Sequence, residues 1–247
     1  MSTLLLRLAA PLQSWGVDSK FDTRNTAREP TKSGVVGMLA SAMGRSRTEN
    51  LDDLNALNFG VRIDQPGVLL RDYHTTRQKN DKSSFVTTRY YLADAIFLTG
   101  LEGKEDFMQM IVSALQNPVF PLFLGRRSCP PAGQLVLGIR EHGLRQALNN
   151  EVWQASEWYQ NKLKKKSDQV KLTIVCDAQH NDNGAFLRRD LPVSFDQRHR
   201  QYGYRMVLDT VEAKPILKSQ HTAELLTDHD AIAGWGDERI CIFHELH

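Results

Sequence analysis

The fold is decided by TLLLRLA at residues 3–9 together with TKSGVVGMLASAMG at residues 31–44. The first stretch is almost continuously apolar, which is typical of a strand that is buried on both faces near the centre of a sheet. In the second stretch, Thr31 or Ser33 is suited to cap a helix that runs to about Met43, and Gly44 is suited to end it. The sequence therefore predicts a central strand followed by a helix that packs against its sheet.

The elements that follow have a recognisable order. We expect strands at 59–63, 68–73 and 90–98, an amphipathic helix at 105–116 and a further strand at 135–139. The order strand, helix, strands, helix, strand is typical of the ferredoxin-like or split βαβ arrangement. We therefore predict an α+β fold with a ferredoxin-like sheet, which is a common platform for RNA.

A polar insertion at 75–88 lies between the second and third of these strands. It carries Arg77, Lys79 and Lys82 against the single acid Asp81, so it is too basic and too poor in apolar residues to pack as core. We expect it to project from the sheet at about 74–89.

The last hundred residues have the pattern of a smaller β-rich unit. A short helix is expected at 151–166, with Trp153 and Trp158 in reach of the core, and a run of lysines ends it. Strands are expected at 170–176, 185–193 and 204–211. The predicted organisation is a ferredoxin-like domain at 1–145 and a second, smaller unit at 146–247.

Composition narrows the class of protein. The chain of 247 residues is 41% hydrophobic, enough for a full core, and has no apolar run long enough to span a bilayer and no basic leader before the short apolar run at its start. Its three cysteines, Cys129, Cys176 and Cys241, have neither disulfide-framework nor zinc-ribbon spacing. We therefore expect a soluble, cytoplasmic protein that is neither exported nor held in a membrane.

Charge is distributed unevenly, although the net charge is only +2. Residues 1–47 hold seven basic and three acidic side chains, whereas residues 206–247 hold three basic and eight acidic ones. The basic part is suited to attract a polyanion. The acidic end is interpreted either as a surface for another protein or as a solvated tail.

The first arginine motif combines Arg24 and Arg28 with the start of the predicted helix. Lys32 and Ser33 would add donors at the positive end of the helix dipole, which is a favourable place for a phosphate. The alternative for Arg28 is an ion pair with Glu29 or an aspartate. A nucleotide P-loop is disfavoured because the glycines that precede its lysine are missing.

The second arginine motif follows Gly125, which can adopt a backbone conformation that is closed to other residues. Arg126 and Arg127 then lie on opposite sides of the chain, so one is suited to hold RNA while the other locks the loop. Ser128 follows them, and Cys129 is interpreted as a small buried residue rather than a nucleophile.

Aromatic rings near the insertion are candidates for stacking on bases. Tyr73, Tyr90 and Tyr91 offer such rings. Because Tyr90 and Tyr91 are adjacent on a strand, at most one of them is expected to stack and the other to be core. Arg89 beside them is the strongest candidate for an RNA contact from the insertion.

Five ordered motifs carry a family resemblance. They are LLLRLAAPLQSWG at 4–16, REPTKSG at 28–34, RDYHT at 71–75, RYYLADA at 89–95 and LGRRSCP at 124–130. In this order they resemble the fifth family of CRISPR-associated proteins, in the form found in type I-E Cascade complexes. The second half of the chain is similar more loosely, mainly at 190–192 and 198–205.

The resemblance implies a RAMP-type ferredoxin-like palm, a β-hairpin thumb formed by the insertion, and a small β-rich C-terminal subdomain. It also implies a non-catalytic subunit that grips the 5′ handle of the CRISPR RNA and caps one end of the backbone filament. The implied partners are that RNA, the backbone subunit CasC and the large subunit CasA, with target DNA met only indirectly, and no cofactor, metal or membrane is expected. The expected RNA-binding residues are Arg24, Arg28, Lys32, Ser33, Tyr73, His74, Arg77, Arg89, Tyr90, Arg126, Arg127 and Ser128.

A metal-independent ribonuclease is the alternative function. Cleavage of RNA without a metal needs a base for the 2′-hydroxyl and a cation for the transition state, and Tyr73, His74 and Lys79 or Lys82 are of the right types. The resemblance disfavours this role, because type I-E systems have a dedicated nuclease subunit, CasE. We therefore interpret His74 as an RNA-contacting or structural residue. A stand-alone RNA-recognition module is also disfavoured, because the sheet lacks an aromatic RNP signature.

Overall fold

The computed structural model describes residues 1–17, 22–77, 84–178 and 182–215. This part of the chain forms eleven strands and five helices in two sheets. In chain order they are β1 (Ser2–Ala9), β2 (Leu12–Gln13), β3 (Thr23–Arg24), α1 (Lys32–Ala42), α2 (Asp52–Asn55), β4 (Asn58–Gln65), β5 (Val68–Arg77), β6 (Ser84–Ala93), β7 (Ile96–Gly103), α3 (Glu105–Gln116), β8 (Val136–Arg140), α4 (Leu144–Asn150), α5 (Glu157–Lys164), β9 (Gln169–Asp177), β10 (Phe186–Ser194) and β11 (Gln201–Pro215).

Four strands in the predicted ferredoxin-like order form part of a seven-stranded sheet. Strands β4, β7, β1 and β8 lie side by side, and every neighbouring pair is antiparallel. Helix α1 lies between β1 and β4 in sequence, α3 lies between β7 and β8, and β7 separates β1 from β4 in space. This is the split βαβ arrangement. The predicted α+β class and ferredoxin-like order are therefore confirmed.

The C-terminal strands extend the same sheet. β9 pairs with the free edge of β4, β11 pairs with β9, and β10 forms the outer edge. The strands predicted at 170–176, 185–193 and 204–211 are thus confirmed, but they continue the palm sheet instead of forming a sheet of their own. The boundary between the two units at about residue 145 stays a prediction. Residues 216–247, which hold most of the acidic end, lie outside the described residues.

The insertion is a long hairpin that we call the thumb, formed by β5 and β6. The register runs from Val68 opposite Ala93 to Arg77 opposite Ser84, so the hairpin begins before residue 74 and ends after residue 89. The single strand predicted at 90–98 is wrong, because Asp94 turns the chain with a φ of 54° between β6 and β7. Short strands β2 and β3 pair with β6 and complete the second sheet.

The core has two layers, one on each face of the seven-stranded sheet. On one face Leu4, Leu6 and Leu8 of β1 pack in a cluster with residues of α1 and α3. On the other face Leu5 packs in a cluster with Leu148 of α4. Burying a leucine side chain contributes about 1.5–3 kcal/mol. The continuous apolar run of β1 is therefore explained by burial on both faces, as predicted.

The prediction for helix α1 is confirmed at both of its ends, and the prediction for the helix at 151–166 is corrected. Thr31 is the cap of α1, since its hydroxyl accepts from Gly34 N, and Gly44 follows the end with a φ of 74°. The helix predicted at 151–166 is limited to Glu157–Lys164, and Trp158 is exposed rather than in the core. Helix α4 was not predicted.

No helix in the described residues is long and apolar enough to cross a membrane.

Candidate RNA interface

The loop at 124–129 is held against the loop that follows β2. Gly125 has a φ of 84°, and a Cβ at this position would lie 1.7 Å from the carbonyl oxygen of Ser14. Ser14 N donates to the Leu124 carbonyl over 3.2 Å, and Leu124 N donates to the Cys129 carbonyl over 2.7 Å. Only glycine combines this φ with so close a backbone approach. The conformation expected of Gly125 is therefore confirmed, and it sets the position of the arginines that follow.

Arg126 joins two motifs that are distant in sequence. Its guanidinium carbon lies 4.7 Å from the centre of the Tyr91 ring, and its Nη2 donates to the Arg24 carbonyl over 2.8 Å. Arg24 lies on β3, where it pairs in register with Arg89 of β6. The fold thus brings three arginines together, and we call Arg24, Arg89 and Arg126 the arginine cluster.

The Tyr91 ring is buried and packs against the Arg126 guanidinium of the arginine cluster. Burial raises the pKa of Tyr91, but interactions with Ser128, Arg126 and Arg89 outweigh burial and leave the pKa below its usual value. Alternation along β6 made one of the two tyrosines a core residue, and the structure identifies it as Tyr91. Its second role, as the platform for Arg126, was missed because that contact comes from a distant loop.

Two nitrogens of the arginine cluster are left without an acceptor. Arg89 Nε and Arg126 Nη1 are both buried from solvent, and neither has a hydrogen-bond partner among the described residues. A buried donor that is left unpaired costs about 1–3 kcal/mol, and more when it is charged. A phosphate or carboxylate oxygen is the acceptor that matches a guanidinium best. The arginine cluster therefore has the chemistry of an anion site.

Arg28 follows Arg24 by four residues and Arg127 follows Arg126 directly, and both residues are exposed. The alternative of an ion pair between Arg28 and Glu29 is disfavoured, because the Glu29 carboxylate lies 2.7 Å from the Arg188 guanidinium. Of the two adjacent arginines after Gly125, Arg126 is the one that locks the loop. Arg127 is open to solvent and available to a ligand.

Lys32 and Ser33 are placed in the interior, which corrects their assignment to the RNA site. Lys32 is only 4% exposed, and its Nζ lies 3.0 Å from Asp177 and donates to the Leu57 carbonyl over 2.8 Å. The Ser33 hydroxyl is buried and donates to Thr31. Both side chains are directed away from solvent because this end of α1 faces the C-terminal strands.

The N-terminus of α1 already has an anion of its own. Lys32 N donates to Asp190 of β10 over 2.9 Å, so the expected phosphate is replaced by a carboxylate of the same chain. Arg205 of β11 binds both Asp190 and Asp177, with its Nε 2.6 Å from Asp190 and its Nη1 2.6 Å from Asp177. Sequence reasoning missed this buried network, and the only signal for it was the loose match at 190–192 and 198–205.

The thumb presents two different faces. Tyr73 is 60% exposed and lies opposite Thr88, on the face that also holds Tyr90 opposite Arg71. Asp72, His74 and Arg89 lie on the other face, where the His74 ring contacts the Asp72 carboxylate. Arg77 is exposed near the described end of β5. Tyr73 and His74 therefore point to opposite sides of the hairpin.

A reactive cysteine and a metal site are two further kinds of candidate site. Cys129 is buried, and burial raises the pKa of its thiol. No group of histidine, cysteine and acidic residues suited to hold a metal occurs among the residues that the structure describes. Lys79, Lys82, Cys241 and the last three histidines lie outside those residues.

Comparison with known proteins points to one family. The family model described as CRISPR-associated protein (Cas_Cas5) matches residues 3–208. The CRISPR system Cascade subunit CasD of Escherichia coli (strain K12) is 36% identical over 159 residues, which are 56% of this chain and 70% of that protein.

Two solved structures are similar in fold and sequence. A chain of a "CRISPR RNA-guided surveillance complex" superposes with a TM-score of 0.72 at 32% identity, over 86% of this chain and 91% of that one. A "Crystal structure of Cas protein" superposes with a TM-score of 0.65 at 37% identity, over 85% of this chain and 94% of that one. Since the family match extends over most of the 247 residues, the chain belongs to the Cas5 family of CRISPR-associated proteins.

Proposed function

We propose that this protein is a non-catalytic, cytoplasmic, RNA-binding subunit of a type I-E Cascade surveillance complex. Its ligand is the 5′ handle of the CRISPR RNA, which it grips at one end of the backbone filament. The observation that carries the proposal is the pair of unpartnered guanidinium nitrogens, Arg89 Nε and Arg126 Nη1. The similarity to a Cascade subunit and to a chain of an RNA-guided complex supports the choice of ligand.

The arginine cluster is suited to hold an RNA backbone. Its guanidinium groups carry fixed positive charge and present their donors in a plane, which matches phosphate oxygens. Arg126 is pre-organised by its contacts with Tyr91 and Arg24, so little side-chain freedom is lost when a phosphate arrives. Arg28 and Arg127 are both exposed, so each is available to contact a further phosphate of the RNA strand.

The thumb is suited to hold bases. Tyr73 has an open ring on a hairpin strand, where an unstacked base of a single strand is able to lie against it. Tyr90 shares that face, and Arg77 lies further along it. In this proposal the arginine cluster holds the phosphates, while the thumb separates bases near the end of the handle.

The other subunits complete the site. We expect the backbone subunit CasC to follow along the RNA and the large subunit CasA to dock beside the thumb. Several large apolar side chains of the hairpin are exposed, including Val68, Leu70 and Phe85, as expected for a surface that is covered by neighbours in an assembly.

A ribonuclease is the second candidate, and one observation favours it. His74 contacts the carboxylate of Asp72, and a carboxylate that orients a histidine is a common arrangement for a general base. Against this role, Tyr73 lies on the opposite face of the hairpin, so the two side chains cannot act on the same phosphodiester.

One experiment separates the two candidates. The purified chain is incubated with repeat RNA in the presence of a chelator, and the RNA is resolved on a denaturing gel. We expect bound but intact RNA, with the same result for His74→Ala. Cleavage that is abolished by His74→Ala would replace the proposal with the ribonuclease.

A further inference from the structure

Helix α5 and the turn after it form a basic and aromatic surface that the proposed function does not use. Four lysines, Lys162, Lys164, Lys165 and Lys166, fall within five residues, and Lys171 follows on β9. The nearby acids are Glu157 at the start of the helix and Asp168 in the turn. None of these lysines forms an ion pair within the described residues. We call this set of lysines, together with Trp158 and Tyr159, the α5 surface.

Helical spacing arranges the α5 surface in two rows. Trp158, Lys162 and Lys165 are separated by four and three residues, so they lie on one side of the helix. Trp158 is 56% exposed, and Lys162 and Lys165 are exposed as well. The outer row is therefore an open indole followed by two free ammonium groups.

The Trp158 ring has fixed aromatic neighbours. It meets Tyr159 edge to face, with ring centres 5.6 Å apart, and Tyr159 meets Trp153 in the same way at 6.2 Å. Trp153 is itself anchored, since its Nε1 donates to the Asp64 carbonyl over 2.9 Å. The chain of rings holds an exposed aromatic face in place, which is the requirement for a stacking platform.

The second row borders a cleft. Tyr159, Leu163 and Lys166 line a cavity of about 420 Å³ between α5 and the ends of β4 and β9. Apolar side chains such as Ile63 and Leu172 form its walls, while Lys166 and Lys171 add two ammonium groups. Asp64 also lines the cleft, but its carboxylate is bound by Arg62, with Arg62 Nε at 2.6 Å.

We infer that the α5 surface is a second binding site, for a single strand of nucleic acid. A row of lysines beside an exposed, fixed indole and an apolar cleft has the chemistry of sites that follow a phosphate backbone while stacking its bases. An acidic protein partner would satisfy the lysines but would leave the indole without a flat partner. The α5 surface borders β4 and β9 of the seven-stranded sheet, whereas Arg24 and Arg89 of the arginine cluster lie on strands of the second sheet.

Tryptophan fluorescence tests the site directly. Oligonucleotides of 12 deoxythymidines and of 12 uridines are titrated into the full chain, and a 12-base-pair DNA duplex is the third ligand. We expect both single strands to quench Trp158, since stacking on the indole quenches its emission, and the duplex to leave it unchanged. The single strand that binds with the lower Kd identifies DNA or RNA as the preferred ligand. Trp158→Phe should remove the quenching while the fold is retained.

Charge variants provide the second measurement. Because each contact between a lysine and a single-strand phosphate adds about 0.7 to the slope of log K against log salt, Lys162→Gln with Lys165→Gln should lower that slope by about 1.4. Arg47→Gln with Lys104→Gln removes the same charge from exposed positions elsewhere and should leave the slope unchanged. Arg89→Ala with Arg126→Ala should leave the quenching of Trp158 unchanged, which separates this site from the proposed handle site.

The proposal is overturned if neither single strand quenches the chain, or if quenching persists in Trp158→Phe. It is also overturned if the lysine variant and its control have the same slope, or if only the duplex binds.

Discussion

Gly125 sets the position of the second arginine motif. With a φ of 84° and the Ser14 carbonyl oxygen 1.7 Å from where a Cβ would be, Gly125→Ala forces the loop away from β2. We expect Gly125→Ala to lower the free energy of unfolding by about 3 kcal/mol, or Tm by about 6–12 °C, measured by circular dichroism.

Gly16→Ala is the matched control for this substitution. Nothing lies within 4 Å of a Cβ at Gly16, so Tm should stay within about 2 °C of the unsubstituted chain. Equal melting temperatures for the two variants would contradict the proposed role of Gly125.

Arg126 and Arg127 differ in what surrounds them, although they are adjacent. Both should contribute a phosphate contact, so Arg126→Ala and Arg127→Ala should each lower the slope of log K against log salt by about 0.7 in a titration with handle RNA. Only Arg126→Ala should also lower Tm, because Arg126 alone packs on Tyr91 and binds the Arg24 carbonyl. A fall in Tm for both variants would show that Arg127 has a structural role as well.

At the scale of elements, the buried network joins α1 to the C-terminal strands. Asp190 accepts from the first N–H of α1 and from Arg205, so Asp190→Asn leaves a buried guanidinium short of a counter-charge. We expect Asp190→Asn to destabilise the chain by about 3–5 kcal/mol in urea unfolding. Asp209→Asn, an exposed carboxylate on β11, should change the stability by less than about 0.5 kcal/mol.

The exposed ring of Tyr73 on the thumb is the proposed stacking site for an RNA base. Tyr73→Ala should weaken binding of the handle RNA by about 1–3 kcal/mol, measured by fluorescence anisotropy, because a stacked base is lost. Tyr204→Ala is the control, since Tyr204 is 61% exposed but lies on β11 of the other sheet. The stacking role of Tyr73 is rejected if both variants bind RNA with the same affinity.

At the scale of the whole molecule, binding and assembly should be linked. When the chain is co-expressed with CasC, CasA and a guide RNA, we expect Arg89→Ala with Arg126→Ala to reduce its recovery in the assembled complex several-fold. Arg47→Ala with Lys104→Ala removes two charges from exposed positions elsewhere and should assemble normally. Recovery is measured by size-exclusion chromatography and by the RNA content of the peak. Normal assembly of the variant with Arg89→Ala and Arg126→Ala would show that the arginine cluster does not bind the handle.

The order of the main strands and helices of the palm could be predicted from the sequence alone. Apolar residues are almost continuous in 3–9, as in a strand buried on both faces, and they repeat with the period of a helix in 105–116; such local patterns follow from which faces are buried. The extent of the thumb could not be predicted, because the break at Asp94 depends on a single left-handed residue between two apolar runs. The continuous sheet of β4 and β9 depends on a pairing between strands that are distant in sequence.

The sequence by itself determined which residue types and motifs are present: two arginine motifs, a hairpin with an open tyrosine, and a lysine run after two tryptophans. The tertiary structure decided how they are used. It placed Arg126 against Tyr91 and Arg24, and it buried Lys32 against Asp177. Side-chain partners from distant segments are set by how the sheets pack. A short motif therefore cannot distinguish an arginine with an unpaired guanidinium nitrogen from a lysine that is paired with a carboxylate of the same chain.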